Sequence, residues 1–412
     1  MLSREQINEI RKEFPYLSGD YKGKDYVYFD NGATVQKPKS VIESVSEYYK
    51  YENGNPHRSA HYFSNVSTEI YEGTREKVAK FIGASNPNEV VFTRNATESL
   101  NLLSYSYGLS KLKAGDEIVI SIMEHHSNLV NWQFVAEKTG AKLIYLYIDD
   151  NRQIPETELS KVTDKCKVFS ITAASNVVGT IPDVKKIIEK VRAKAPNAFV
   201  IVDGAQYAPH HRVNVKDIGC DAFVFSGHKM YSYLGIGVLW CKEDILNDMP
   251  PFLYGGDMIE YVYEDETTFL PTPQRFEAGT QNVGGVKSLS SAIDFIEGIG
   301  IENIEEYERE LTSYAYDQLS KLPFIEIYTT PLPNRTSLVS FNFKEVHPHD
   351  VSSILDSYKI AIRSGHHCAQ PLHRYMGINS SCRASFAVYN TFEEVDKFVE
   401  GLYEVGRVMK CI

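Results

Sequence analysis

A lysine follows an apolar run directly in Phe225-Ser226-Gly227-His228-Lys229, where an amine contributes little to solubility. Held in a partly desolvated pocket, it sheds its proton more readily and can form a Schiff base with an aldehyde. One apolar run earlier, Val200-Ile201-Val202 ends in Asp203-Gly204-Ala205-Gln206, and burying that carboxylate requires a cationic partner. A protonated pyridine nitrogen is such a partner, because the aspartate keeps it charged and the ring can then act as an electron sink. Each residue alone has a plainer reading, a surface lysine or a capping aspartate. Together, on neighbouring strand ends, they suit pyridoxal phosphate.

A phosphate needs donors, and Arg94-Asn95-Ala96-Thr97-Glu98 opens a helical stretch with Asn95 and Glu98 spaced as a capping pair. Thr97, Ser226 and His228 are the side chains to aim at it. In Glu124-His125-His126 an imidazole can stack on a flat ring and move protons; His125 is the better placed. Adjacent histidines seldom ligate one ion, and no third ligand lies close in sequence, so no metal is expected. Among six cysteines without a C-x-x-C pair, Cys368 stands apart in Arg363-Ser364-Gly365-His366-His367-Cys368, an electropositive setting that favours the thiolate. Cys166, Cys220 and Cys241 sit in or beside strand runs and read as inert core residues.

The elements that must position these groups form an α/β rhythm. Apolar, β-rich runs at 89–93, 117–121, 142–148, 167–172, 198–203, 222–226 and 235–241 alternate with turns and helical stretches. Several are apolar throughout, as strands covered on both faces are. The expected fold is a mostly parallel central sheet with its crevice at the strands' carboxyl ends, where all the segments above emerge. A loop-like stretch at 254–285 and a long helix at 286–322 then lead to a smaller α+β unit, with strands at 336–343, 360–363 and 382–388 and helices at 348–357 and 391–408. This gives a large unit at 22–265 and a small unit at 266–412, with 1–21 packed on the latter.

With 412 residues, 43% hydrophobic and 24% charged, the chain has the balance of a folded soluble protein. A net charge of −11 without a Lys/Arg-dense stretch argues against nucleic acid. No signal-peptide pattern and no bilayer-length apolar run appear, which implies a cytoplasmic protein with no membrane partner.

In combination these motifs, with Ser175-Asn176, the run Arg275-Phe276-Glu277-Ala278-Gly279-Thr280 and Cys382-Arg383-Ala384-Ser385, resemble the class V, fold-type I pyridoxal-phosphate enzymes, and among them the SUF-type (group II) cysteine desulfurases. The resemblance runs from about Tyr28-Phe29-Asp30-Asn31 to Cys382-Arg383-Ala384-Ser385. It implies that Lys229 carries the cofactor, Asp203 pairs the pyridine nitrogen, Gln206 touches the ring oxygen and His125 stacks. Asn176 and Arg383 would hold a substrate carboxylate. Thr280 would reach the phosphate of a partner subunit, making a homodimer part of the site. Two departures stand out: Tyr231-Ser232-Tyr233-Leu234 replaces a common Tyr-Gly-Pro, implying a less tightly turned loop, and Ala96 replaces a threonine hydroxyl.

The implied reaction converts L-cysteine to L-alanine and leaves a persulfide on Cys368 for an acceptor protein, with iron-sulfur cluster assembly as its destination. His347-Pro348-His349 precedes a helix and reads first as a capping loop, while the resemblance allows His349 to take the zinc of a zinc-bearing acceptor. A selenocysteine lyase, an aminotransferase and a non-catalytic cofactor-binding sensor are the competing readings.

Overall fold

The computed structural model describes residues 2–18, 23 and 25–411; the expected boundary at residue 22 lies outside them. In chain order its strands are β1 (Val27–Tyr28), β2 (Val90–Thr93), β3 (Glu117–Ser121), β4 (Lys142–Leu146), β5 (Cys166–Thr172), β6 (Phe199–Asp203), β7 (Ala222–Ser226), β8 (Gly237–Cys241), β9 (Ile259–Val262), β10 (Thr267–Phe269), β11 (Ile325–Ile327), β12 (Leu338–Phe343), β13 (Ile360–Ala361), β14 (Arg363–Gly365) and β15 (Ser381–Ser385). Seven form the central sheet in the order β2-β8-β7-β6-β5-β3-β4. Only β8 runs against the others, since it is antiparallel to both neighbours while the remaining pairs are parallel. The reason is local: ten residues join β7 to β8, too few for a crossover, so the chain must return antiparallel.

Every residue of β3, β6, β7 and β8 is buried, which explains the apolar run through the middle of each, with polar residues only at strand ends. A second sheet, β11-β12-β15-β14, is antiparallel throughout. β1 pairs with β13, and Asp30 bridges to Ser385, so the amino-terminal segment is stitched to this second sheet.

Two elements differ from expectation. The helix expected at 286–322 is two helices, Val283–Ile299 and Ile301–Ser320, parted at Gly300, whose φ of 89° only glycine adopts freely. The stretch at 254–285 holds the β9-β10 hairpin, whose residues are mostly exposed and so lack the alternation that marks a half-buried strand. No helix among the described residues is long and apolar enough to cross a membrane.

Candidate active site

Ten of the twelve candidate residues line one cavity of about 210 Å³: Lys229, Asp203, Gln206, His125, Thr97, Ser226, His228, Asn176, Arg383 and Cys368. The central sheet supplies the first eight from the carboxyl ends of its strands, and the second sheet supplies Arg383 from β15 and Cys368 from the loop after β14. Thr280 is exposed and lies outside this cavity, beside Tyr71 and Gly235. His349 is exposed at the start of the helix Pro348–Ser357, where the side chain of His347 caps the His349 N–H. The capping reading thus describes His347. Ser352 of that helix bonds Ser364 of β14 at 2.9 Å, which places the helix against the strand leading to Cys368.

Asp203 ends β6 almost wholly buried, and its Oδ1 accepts from the Ala205 N–H at 3.0 Å. Burial raises its pKa. The Lys229 amine makes no hydrogen bond among the described residues; burial lowers its pKa to about 8, against the opposing charge of Asp203. A buried amine and a buried carboxyl thus face a cavity with most of their bonding capacity unspent. His125 is pushed down to about 3, first by burial and then by Lys229, so its ring is neutral at physiological pH. Its Nδ1 accepts from the Ser127 N–H at 3.1 Å, which assigns the ring proton to Nε2.

At the opposite rim, Asn95 caps the helix Ala96–Leu102 by accepting from the Glu98 N–H. Glu98 completes no capping box; its carboxylate accepts from the Arg94 N–H instead. The Ala96 N–H donates to Ser226 Oγ at 2.9 Å, so the backbone makes a contact here despite the missing threonine hydroxyl. A Cβ on Gly237 would meet the Asn95 backbone at 2.5 Å, so glycine there is what lets this turn approach β8. His228 Nδ1 is buried without a hydrogen-bond partner. These groups fit pyridoxal phosphate: an amine for the aldehyde, a carboxylate for the ring nitrogen, a neutral imidazole to stack, and an unsatisfied imidazole nitrogen among hydroxyls at the rim.

Arg383 is almost wholly buried. Its Nη1 donates to the Asn176 carbonyl at 2.9 Å, its Nη2 lies 3.5 Å from Asp30, and its Nε has no partner. A Cβ on Gly32 would press on its guanidinium at 3.0 Å. Asn176 spends one amide hydrogen on the His367 carbonyl at 2.7 Å, leaving the other for a ligand. Cys368 is the exposed cysteine of the set; Cys166, Cys220, Cys241 and Cys382 are buried, and burial raises each of their pKa values.

The loop after Lys229 turns tightly, contrary to expectation. The Gly227 carbonyl accepts from both Met230 and Ser232, Tyr231 takes a φ of 64°, and Ser232 bonds Ser288 at 2.7 Å. Hydrogen bonds do here what a Gly-Pro turn would do.

The segment at 32–37 escaped sequence reasoning. Lys37 Nζ at 2.9 Å, Thr34 Oγ1 at 3.1 Å and the Val35 N–H at 3.3 Å all donate to the carbonyl of His228, while the Gly32 carbonyl accepts from Gln206 at 2.8 Å. One strap thus holds the peptide that carries Lys229 and the amide beside Asp203. Burial pulls Lys37 down to about 7. A lysine before a proline carries no local signal of such a role.

A protein-family model described as aminotransferase class-V matches residues 27–398. A probable cysteine desulfurase of Halalkalibacterium halodurans is 46% identical over 96% of this chain and 97% of its own length, and a cysteine desulfurase of Haloferax volcanii is 42% identical over 96% of each. Among solved structures, a cysteine desulfurase of Thermococcus onnurineus superposes with a TM-score of 0.92 at 39% identity, covering 99% of both chains. The Escherichia coli cysteine desulfurase CsdA, crystallised as its S-sulfonic acid, superposes with a TM-score of 0.90 at 37% identity, covering 98% of both.

Proposed function

The chain belongs to the class-V aminotransferase family, and from that premise we propose that it is a pyridoxal-phosphate-dependent cysteine desulfurase of the SUF type, converting L-cysteine to L-alanine. The observation that carries this reading is Cys368, an exposed thiol lining the same cavity as Lys229 and Asp203. Its relatives' names support the reaction.

Bound at Lys229, pyridoxal phosphate supplies an electron sink that loosens the bonds at the substrate's Cα and Cβ. Asp203 pairs the ring nitrogen, Gln206 meets the ring oxygen, His125 stacks, and Thr97, Ser226 and His228 hold the phosphate, joined by Thr280 from a second copy of the chain. Arg383 and Asn176 orient the substrate carboxylate. Lys229 Nζ, easily deprotonated in its buried setting, takes the proton from Cα. Cys368 Sγ attacks the substrate sulfur: a sulfur–sulfur bond forms, the Cβ–sulfur bond breaks, and its electron pair stays with the carbon skeleton. Two protons complete alanine: Lys229 returns its own to Cα, and His125 is our candidate to pass the proton given up by the Cys368 thiol to Cβ. Alanine leaves and Cys368 keeps the persulfide.

The two sheets divide this work, Lys229 and Asp203 coming from the unit at 22–265 and Cys368 and Arg383 from that at 266–412. The persulfide passes to an acceptor protein that comes to the exposed loop. His349, also exposed, is our candidate for engaging a zinc-bearing acceptor; His349→Ala should slow transfer and spare the first turnover, and an unchanged transfer rate removes it. The whole reading is tested by assaying the protein for alanine and sulfide from cysteine with a reductant. Equal amounts of both are expected; alanine restored only by a keto acid would make it an aminotransferase, and release from selenocysteine that survives Cys368→Ala would make it a selenocysteine lyase.

A further inference from the structure

Two hydrogen bonds tie the residue after His125 to the backbone that leaves the thiol. The backbone N–H of His126 donates to the Cys368 carbonyl at 2.7 Å. Its ring Nε2 accepts from the backbone N–H of Gln370 at 3.0 Å. At and just before the first of these anchors the chain adopts a conformation rare for residues with side chains, with φ of 48° at His367 and 56° at Cys368. Backbone in that region persists when its surroundings over-determine it. Asn176 restrains the His367 carbonyl, and a turn from Ala369 to His366 closes the loop on itself, but the residues beyond the thiol are gripped by the His126 ring.

Resting on the reading of Cys368 as nucleophile, we propose that His126 is a positioning residue: its unprotonated ring latches the Cys368 loop through the Gln370 N–H and holds the thiol over the cavity, and protonation of the ring opens the latch. Imidazole accepts at Nε2 only while that nitrogen lacks a proton; the imidazolium would set one N–H against another. The titratable and charged groups facing the ring are His125 on its own segment, with centroids 6.4 Å apart, His366 and Cys368 from the loop, and His373 and Arg374 from the helix Gln370–Tyr375. Burial, then His366 and Arg374, lower the His126 pKa. The latch is therefore closed at neutral pH and opens in acid.

The test is amide hydrogen exchange in the peptide 366–372 of the holoenzyme, corrected for intrinsic rates, beside the first-turnover rate. His126→Ala should lower protection of that peptide by about tenfold, the scale of one lost hydrogen bond, and slow the first turnover similarly, with the cysteine concentration needed to perturb the cofactor spectrum changed less than about twofold. His126→Gln, whose carbonyl oxygen is an acceptor that does not titrate, should restore protection. It should also abolish the loss of protection expected of the wild type as pH falls below the range where an ordinary histidine titrates. Unchanged protection in His126→Ala, or protection lost while alanine forms at the wild-type rate, overturns the latch. Failure of the desulfurase reading would show separately, as absence of sulfur on Cys368 with the exchange results intact.

Discussion

Capture of the cofactor by Lys229 has a pH dependence that can be worked from the structure. Schiff-base formation requires the neutral amine. With a pKa of about 8 in place of 10.5, about one Lys229 amine in ten is neutral at pH 7, against about one in three thousand for an ordinary lysine. The cofactor-free protein should thus bind pyridoxal phosphate at pH 7 about 300 times faster than a solvated lysine would permit, with the rate rising through a midpoint near pH 8. The neighbouring charges fix the sign of two substitutions. Asp203 raises the Lys229 pKa, so Asp203→Asn should move the midpoint down and speed capture at pH 7 while crippling turnover. Arg383 lowers it, so Arg383→Gln should move the midpoint up and slow capture. Stopped-flow absorbance across pH 6 to 10 is the assay. A midpoint near 10, or a shift in the same direction for both variants, would refute the argument that burial, opposed by Asp203 and reinforced by Arg383, sets the reactivity of the amine.

Three further outcomes are expected. Arg383→Lys keeps the charge but loses the planar fork, and kcat/KM for cysteine should fall by about a hundredfold or more, read as alanine formation. Lys37→Met removes one of three donors to the His228 carbonyl; the cofactor's absorption band should broaden or shift and kcat should drop about fivefold, with thermal stability nearly unchanged. Arg75 and Glu277 form a buried ion pair with two bonds of 2.8 Å, and Glu277 also accepts from Phe92 N–H. Arg75→Ala should therefore cost about 3–5 kcal/mol in a denaturant titration, because it strands a buried carboxylate in the motif that leads to Thr280.

What can be read from the sequence is whatever local pattern controls. β3, β6 and β7 have wholly apolar interiors because both faces are covered, and the residues at their carboxyl ends, Glu124 to His126, Asp203 to Gln206 and Gly227 to Lys229, follow from strand direction alone. Gly300 parts a long helical pattern whose periodicity continues on both flanks, and that continuity masks the break. The β9-β10 hairpin, largely exposed, carries no alternation to detect. The strap of Gly32, Thr34 and Lys37 acts at a separation of almost 200 residues through backbone carbonyls, and no spacing rule reaches that far. The tight turn at Tyr231 depends on Ser288, a tertiary partner that local turn chemistry cannot supply.

The most direct measurement is a mass spectrum of the holoenzyme after brief exposure to L-cysteine without reductant. One added sulfur on the peptide containing Cys368, matched by an equal amount of alanine, is the expected result; alanine accumulating while that peptide keeps its unmodified mass would contradict the account.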